Sequence, residues 1–214
     1  MDPRLMRCQA HDVHRRHTTE TSVGGAPITH RPAAEIVHLG IARTFQGTRL
    51  FPALTVAENV RAAAELRHRT NMLDALVGTP RRSRAEREVE TTTSEFLDLV
   101  GLAHRRDDRA RDLPYGDQRR LELVRALATR PRLLMLDEPA AGMDASETRS
   151  LLRIIDDIRR RFGLAVVVVE HDMDLIMNLC ERIQVLAHGS LIFEGSPAEV
   201  QANPRVREVY LGHA

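Results

Sequence analysis

The residues of this chain best placed to do chemistry are two adjacent acids, Asp137 and Glu138, which end the apolar run Leu133-Leu134-Met135-Leu136. In an open α/β sheet, ligands bind beyond the carboxyl ends of the strands, so a carboxylate pair there can hold a metal ion and activate water. The same pair also suits a buried strand that stops in two solvated acids before a turn. Upstream, Leu113 to Gln118 reads LPYGDQ, a glycine-bearing turn opening a helix that ends before Pro131. Gly116 permits close backbone approach, and a helix beginning near Asp117 aims its amino-terminal dipole at whatever lies ahead; phosphate suits such an end. Downstream, His171 follows the valine-rich run Leu164 to Val169, and Gln46 ends the run Ile41 to Phe45. Taken singly, His171 suits a surface position and Gln46 an ordinary strand end.

The elements around these residues follow from periodicity and caps. Pro32 to Leu39 reads as a short helix closed by Gly40, and Ile41 to Phe45 as a strand. From Gly47 to Asp112 the pattern is helical, with capping boxes at Thr55/Glu58 and Ser83/Glu86 and apolar stripes at Leu54, Val56, Val60 and at Val89, Phe96, Leu97, Val100. This is a helical insert within an α/β chain. Asp144, with Glu147 three residues on, can cap an amphipathic helix over Ser146 to Phe162, and the continuously apolar Leu164 to Val169 reads as a fully buried strand. Arg182 to Leu186 and Leu191 to Glu194 form a strand pair around His188-Gly189-Ser190, and Ser196-Pro197-Ala198-Glu199 opens a terminal helix.

Composition bounds the rest. The 214 residues are 43% hydrophobic, enough for one large domain with its own core. A formal net charge of +1, from 31 basic and 30 acidic residues, gives no reason to expect nucleic acid as a partner. No apolar run approaches the roughly 20 residues of a membrane-spanning helix, and the charged amino terminus lacks the apolar centre of a secretory signal. A cytoplasmic location is expected. Cys8 and Cys180 lack metal-site spacing and fit reduced thiols. Residues 1–31 carry His11, His14 and His17 at helical spacing, a possible metal set, but no patterned apolar face, which predicts a disordered tail.

Together LPYGDQ (113–118), LLMLDEP (133–139), AGMD (141–144), GIARTFQ (40–46), VVVEHDM (167–173) and NPRVREVYLG (203–212) resemble the ATP-binding subunits of ABC transporters. The resemblance is closest to the branch serving branched-chain amino acid importers and runs from about Pro32 to Gly212. It implies an α/β fold: a P-loop NTPase-like ABC ATPase core over residues 32–214, with a helical signature subdomain inserted at about 47–130. It also implies roles. Asp137 would bind Mg2+, Gln46 would bind Mg2+ or the attacking water through its carboxamide oxygen, Glu138 would be the base that orients water, and His171 would donate to the γ-phosphate of ATP, so that Glu138, His171 and Gln46 are the catalytic residues the resemblance implies. Tyr115, Gly116, Asp117, Gln118 and Asp144 would meet ATP held by the opposite subunit. The implied partners are integral membrane permease subunits and a second ATP-binding subunit, with the chain peripheral at the inner face of the plasma membrane. Asn71 to Thr79 is a candidate for the permease dock, or for packing within the insert.

The sequence departs from the family in two places. Pro114 and Tyr115 replace the serine and first glycine of the common LSGGQ signature, although the aromatic-glycine form occurs in this branch. The chain also contains no lysine, all 31 basic residues being arginine, so the phosphate loop G-x-x-x-x-G-K-[ST] cannot occur in it. That predicts a core lacking its first strands and phosphate loop, with the backbone beside the strand leading to His171 left unpaired. Three functions follow as alternatives: an ATP-hydrolysing importer subunit, a nucleotide-dead subunit that pairs with a complete ATPase, or a truncated copy.

Overall fold

The computed structural model describes residues 7–10, 22–23, 26–45, 47, 49–67 and 80–211. It divides into two compact units, one of residues 1–46, 132–141 and 155–214, the other of residues 47–131 and 142–154.

The first unit is built on a sheet. Its strands are β1 (Arg7–Ala10), β4 (Ile41–Arg43), β5 (Leu133–Asp137), β6 (Ala165–Val169), β7 (Arg182–Ala187) and β8 (Ser190–Gly195), in the order β4-β5-β6-β1-β7-β8. A separate two-stranded pair joins β2 (Ser22–Val23) to β3 (Ala26–Pro27). All neighbours in the main sheet run parallel except the β7–β8 hairpin. β5 and β6 form because short runs of leucine and valine bury best inside a parallel sheet; Leu134, Leu136, Val166 and Val168 are all buried. Their register, Leu136 opposite Val168 and Asp137 opposite Val169, brings the ends of both strands level. Helix α1 (Ala33–His38) closes at Gly40, whose φ of +86° is the left-handed turn that delivers β4. The Gly40 carbonyl accepts from the amides of Arg132 and Leu133 at 2.7 and 3.0 Å, which starts β5 beside β4.

The expectation of a disordered tail over residues 1–31 and of missing first strands is corrected at two points, the β2–β3 pair and β1. Arg7–Ala10 is a strand, with Cys8 registered against Val168 on one side and Ile183 on the other. The tetrapeptide RCQA alternates polar and small apolar letters, but over only four residues and without a β-branched or aromatic side chain, and it takes its place between two flanking backbones. The expected metal set His11, His14 and His17 lies outside the described residues, as do Gln46 and Asn71 to Thr79. Cys180 is buried and disulfide-bonded, not the reduced thiol its isolated position suggested. Spacing along a chain carries no information about strands brought together across a sheet.

Two further elements differ from expectation. Helix α6 (Met173–Leu179), capped by the Asp172 carboxylate at 3.2 Å from the Leu175 amide, follows the histidine loop. The terminal helix is two helices, α7 (Pro197–Ala202) and α8 (Pro204–Leu211). Pro204 has no amide to continue the first, and Asn203 caps the second by accepting from Arg205 and Val206.

The second unit is helical: α2 (Val56–Glu65), α3 (Pro80–Leu99), α4 (Tyr115–Ala128) and the first turns of α5 (Ala145–Phe162). The Thr55/Glu58 capping box is formed. The one expected at Ser83 is not, because α3 already begins at Pro80, a residue suited to a first helical turn. Val56, Val60, Phe96, Leu97, Leu121 and Val124 are buried and make its core. Fully buried Asn59 fixes the preceding turn, accepting from the Phe51 amide at 2.9 Å and donating to the carbonyls of Phe51 and Thr55 at 3.1 and 2.9 Å. Among the described residues no helix is long and apolar enough to cross a membrane.

Candidate functional site

Three adjacent strand ends of the first unit carry its chemistry. At the end of β4, the Thr44 amide donates to the Met135 carbonyl at 2.9 Å, and Thr44 Oγ1 accepts from the Asp137 amide at 3.2 Å. These two bonds fix the last residues of β5 against β4. Arg43 Nη2 donates to Asp137 Oδ2 at 2.8 Å. One residue on, Glu138 adopts φ +45°, a conformation uncommon for a residue with a β-carbon. Its amide donates to the Val169 carbonyl at 2.9 Å, so β5 stays tied to β6 while the chain turns.

The end of β6 completes the group. His171 Nδ1 lies 3.5 Å from Glu138 Oε1 and 3.8 Å from Glu170 Oε2. The His171 side chain is 69% exposed, and with Nδ1 beside two carboxylates, Nε2 is the ring nitrogen left to meet a ligand. Glu170 is only 3% exposed. Its Oε1 accepts from the Ala140 amide at 3.4 Å and its Oε2 from the His171 amide at 3.2 Å, so one carboxylate spans the turn after β5 and the turn after β6. Burial pushes this carboxyl above its ordinary range, and the amides of Ala140, His171 and Asp172 pull against that shift.

The donor chemistry can be weighed against Mg2+ and ATP. Magnesium that arrives with a nucleotide takes one or two carboxylates and fills its shell with phosphate oxygens and water. Asp137 supplies one such hard oxygen, and no group of three or more ligating side chains among the described residues forms an all-protein metal cage. The set fits a phosphate-borne magnesium ion.

The remaining predicted residues sit in the second unit. Tyr115 and Gly116 open α4, and Asp117 and Gln118 follow in its first turn. The Tyr115 ring packs on Gly142, its Cε1 3.1 Å from where a β-carbon would stand, and Gly142 itself has φ +78°. A β-carbon on Gly116 would stand 2.6 Å from Glu147 Oε1. The Asp144 carboxylate accepts from the amides of Ser146 and Glu147, and Glu147 Oε2 accepts from the Asp144 amide at 3.1 Å, closing the expected cap. Gln118 Nε2 donates to the Leu113 carbonyl at 2.9 Å, and Asp117 lies 3.6 Å from both Arg105 and Arg120. Asp117 and Gln118 are thus engaged in holding their own turn.

Thus Asp137, Glu138 and His171 come together in one unit, while Tyr115, Gly116 and Asp144 come together in the other. Sequence reasoning overlooked Glu170 and Arg43. The letter before His171 was a signal for Glu170, since an acid directly after five apolar strand residues is held at the strand end by the strand itself.

Comparison with known proteins identifies the family and the fold. Residues 9–141 match the family model described as ABC transporter, and residues 190–214 match that described as branched-chain amino acid ATP-binding cassette transporter. The chain is similar to the high-affinity branched-chain amino acid transport ATP-binding protein LivG of Escherichia coli (strain K12). That similarity is 39% identity over 183 residues, covering 86% of this chain and 72% of the relative. It is likewise similar to BraF of Pseudomonas aeruginosa, with 40% identity over 190 residues, 89% of this chain and 74% of the relative. Among solved structures, the ADP conformation of MJ1267, an ATP-binding cassette of an ABC transporter, matches with a TM-score of 0.70 and 28% identity over 88% of this chain and 75% of that one. A nucleotide-free ATP-binding cassette matches in fold with a TM-score of 0.76, covering 98% of this chain and 88% of that one.

Proposed function

Because the chain belongs to the family of ABC transporter ATP-binding proteins, we propose that it is the ATP-binding subunit of an importer of branched-chain amino acids, acting on magnesium-bound ATP. The observation that carries the reading is the pairing of His171 Nδ1 with Glu138 Oε1 at 3.5 Å, at the ends of neighbouring parallel strands. Glu138 holds water by accepting its proton at a carboxylate oxygen, and His171 Nε2, the ring nitrogen left to meet a ligand, is the donor for the γ-phosphate. Asp137, joined by Gln46, would hold magnesium, which supplies positive charge to the phosphate oxygens when bound. Phosphoryl transfer needs mostly positioning and charge, which these strand ends provide. Tyr115, Gly116 and Asp144 are the groups offered to nucleotide on a second ATP-binding subunit, and integral membrane permeases are the partners that receive the motion.

A second reading is favoured by one observation: the chain has no lysine for the β- and γ-phosphates. In it, this subunit contributes its glycine turn to a complete ATPase and holds no nucleotide itself. Equilibrium binding of a fluorescent ATP analogue to the full chain, with and without magnesium and beside Glu138→Gln, separates the two. Magnesium-dependent micromolar binding is expected on the first reading; no binding up to millimolar would sink it and leave the second.

A further inference from the structure

The second unit contains an ion pair that the chemistry above does not use. Arg119 and Glu122 lie one helical turn apart on α4, with side chains only 4% and 5% exposed, and Arg119 Nη1 donates to Glu122 Oε2 at 3.2 Å. Opposite charges three residues apart on a helix normally sit in solvent, where they contribute little. Burial removes both from water, so the position carries a desolvation cost that solvent-facing residues would avoid.

What the pair touches gives it a purpose. Arg119 Nε donates to the Tyr115 hydroxyl at 3.0 Å, and its guanidinium carbon stands 5.2 Å from the centre of the Tyr115 ring. That ring in turn lies against Gly142. On the other side, Glu122 Oε1 accepts from the Arg49 amide at 3.5 Å, three residues beyond Gln46. One continuous set of contacts therefore runs from the backbone after Gln46, through two buried charges, to the aromatic ring at the head of α4 and on to the glycine before Asp144.

We propose that Arg119 and Glu122 are positioning residues for the glycine turn: together they hold Tyr115 against Gly142 and tie that contact to the segment after Gln46. Tyr115 stands where the common signature has a glycine, so a mobile aromatic ring there would sweep across the face that Gly116 offers to phosphate. The guanidinium fixes it at both the hydroxyl and the ring face. A lysine could supply charge but not the planar fork that meets a hydroxyl and a carboxylate together. The inference rests on the importer-ATPase reading only for the identity of the ligand, not for the holding of Tyr115.

The test uses the full chain. Tyr115 and Tyr210 are its only tyrosines and it has no tryptophan, so a Tyr210→Phe background makes Tyr115 the sole strong fluorophore. In that background Arg119→Met/Glu122→Met removes the pair as a unit. Replacing a buried ion pair by apolar side chains of similar volume is commonly neutral for stability, so the melt should be retained. Tyr115→Phe is the second variant, removing only the acceptor for Arg119 Nε. The expected result is a rise in the fast-decaying part of Tyr115 anisotropy in the double variant. Hydrogen exchange at 115–118 and 142–144 should speed about tenfold in both variants, with β5 and β6 unchanged. Unchanged anisotropy and exchange with the melt retained would overturn the proposal. So would a double variant that unfolds while Tyr115→Phe, still folded, exchanges like the parent. A separate arm measures ATP-dependent pairing with a complete ATP-binding subunit. Pairing weakened about tenfold in the double variant supports the positioning role, and equal pairing overturns it. A parent chain that never pairs counts against the importer-ATPase reading, while anisotropy and exchange still judge the Tyr115 contact.

Discussion

Arg43 Nη2 sits 2.8 Å from Asp137 Oδ2, so the carboxylate expected to meet magnesium already has a cation beside it. Arg43 is more than half exposed, at 54% of its side chain, and an ion pair so open to water contributes at most about 1 kcal/mol. Arg43→Gln should therefore leave stability within about 1 kcal/mol of the parent while removing a competitor for the metal. The magnesium concentration needed for half-maximal nucleotide binding should fall by about 3-fold to 10-fold, read by calorimetric titration. An unchanged or higher requirement would show that Arg43 does not compete.

Glu138→Gln keeps shape and loses the proton acceptor. Phosphate release should drop by about 10²- to 10⁴-fold, with binding of the fluorescent ATP analogue retained. Equal turnover in a single-turnover assay would remove Glu138 from the role of base.

Glu170 gives a pH signature. Its carboxyl is held above the ordinary range chiefly by burial, so the folded state binds this proton more tightly than the unfolded chain does. The associated stability is present below the unfolded value and is lost as pH rises through the folded one. Urea unfolding from about pH 4 to about pH 8 should show the parent losing stability relative to Glu170→Gln across that interval. A constant difference would mean Glu170 titrates alike in both states.

Asn59 tests the second unit. Asn59→Leu removes an acceptor for the Phe51 amide and donors to the carbonyls of Phe51, Leu54 and Thr55 in a fully buried position. Leaving such groups without partners costs about 2–4 kcal/mol, measurable as a lower urea midpoint with unchanged slope. A loss under about 0.5 kcal/mol would mean the turn at Phe51 finds water instead.

What could be read beforehand, and what could not, divides along physical lines. β5, β6 and the helix after Asp144 declare themselves by apolar runs and a cap, both of them local properties, and with them come Asp137, Glu138 and His171. Arg7–Ala10 does not, since its pairing partners Val167 and Arg182 lie far along the chain and its four letters alternate over too short a run, without β-branched or aromatic residues, to declare a strand. Arg119 and Glu122, three residues apart on one helix, carry no local sign of burial. Their burial depends on Tyr115 from the same helix and on Arg49 from a distant segment. The boundary between α7 and α8 was missed although Asn203-Pro204 signals it, proline ending one helix and asparagine capping the next.

The place of β1 has a consequence in time. Arg7 pairs with Val167, so this strand is synthesised 160 residues before the neighbour it lies against. At about 5–20 residues per second, the ribosome delivers that neighbour roughly 10 to 30 s later. Until then β1 has no sheet to join, and its own unpaired backbone is a bare edge able to pair with the wrong strand. The middle of the sheet is thus among its last parts to close.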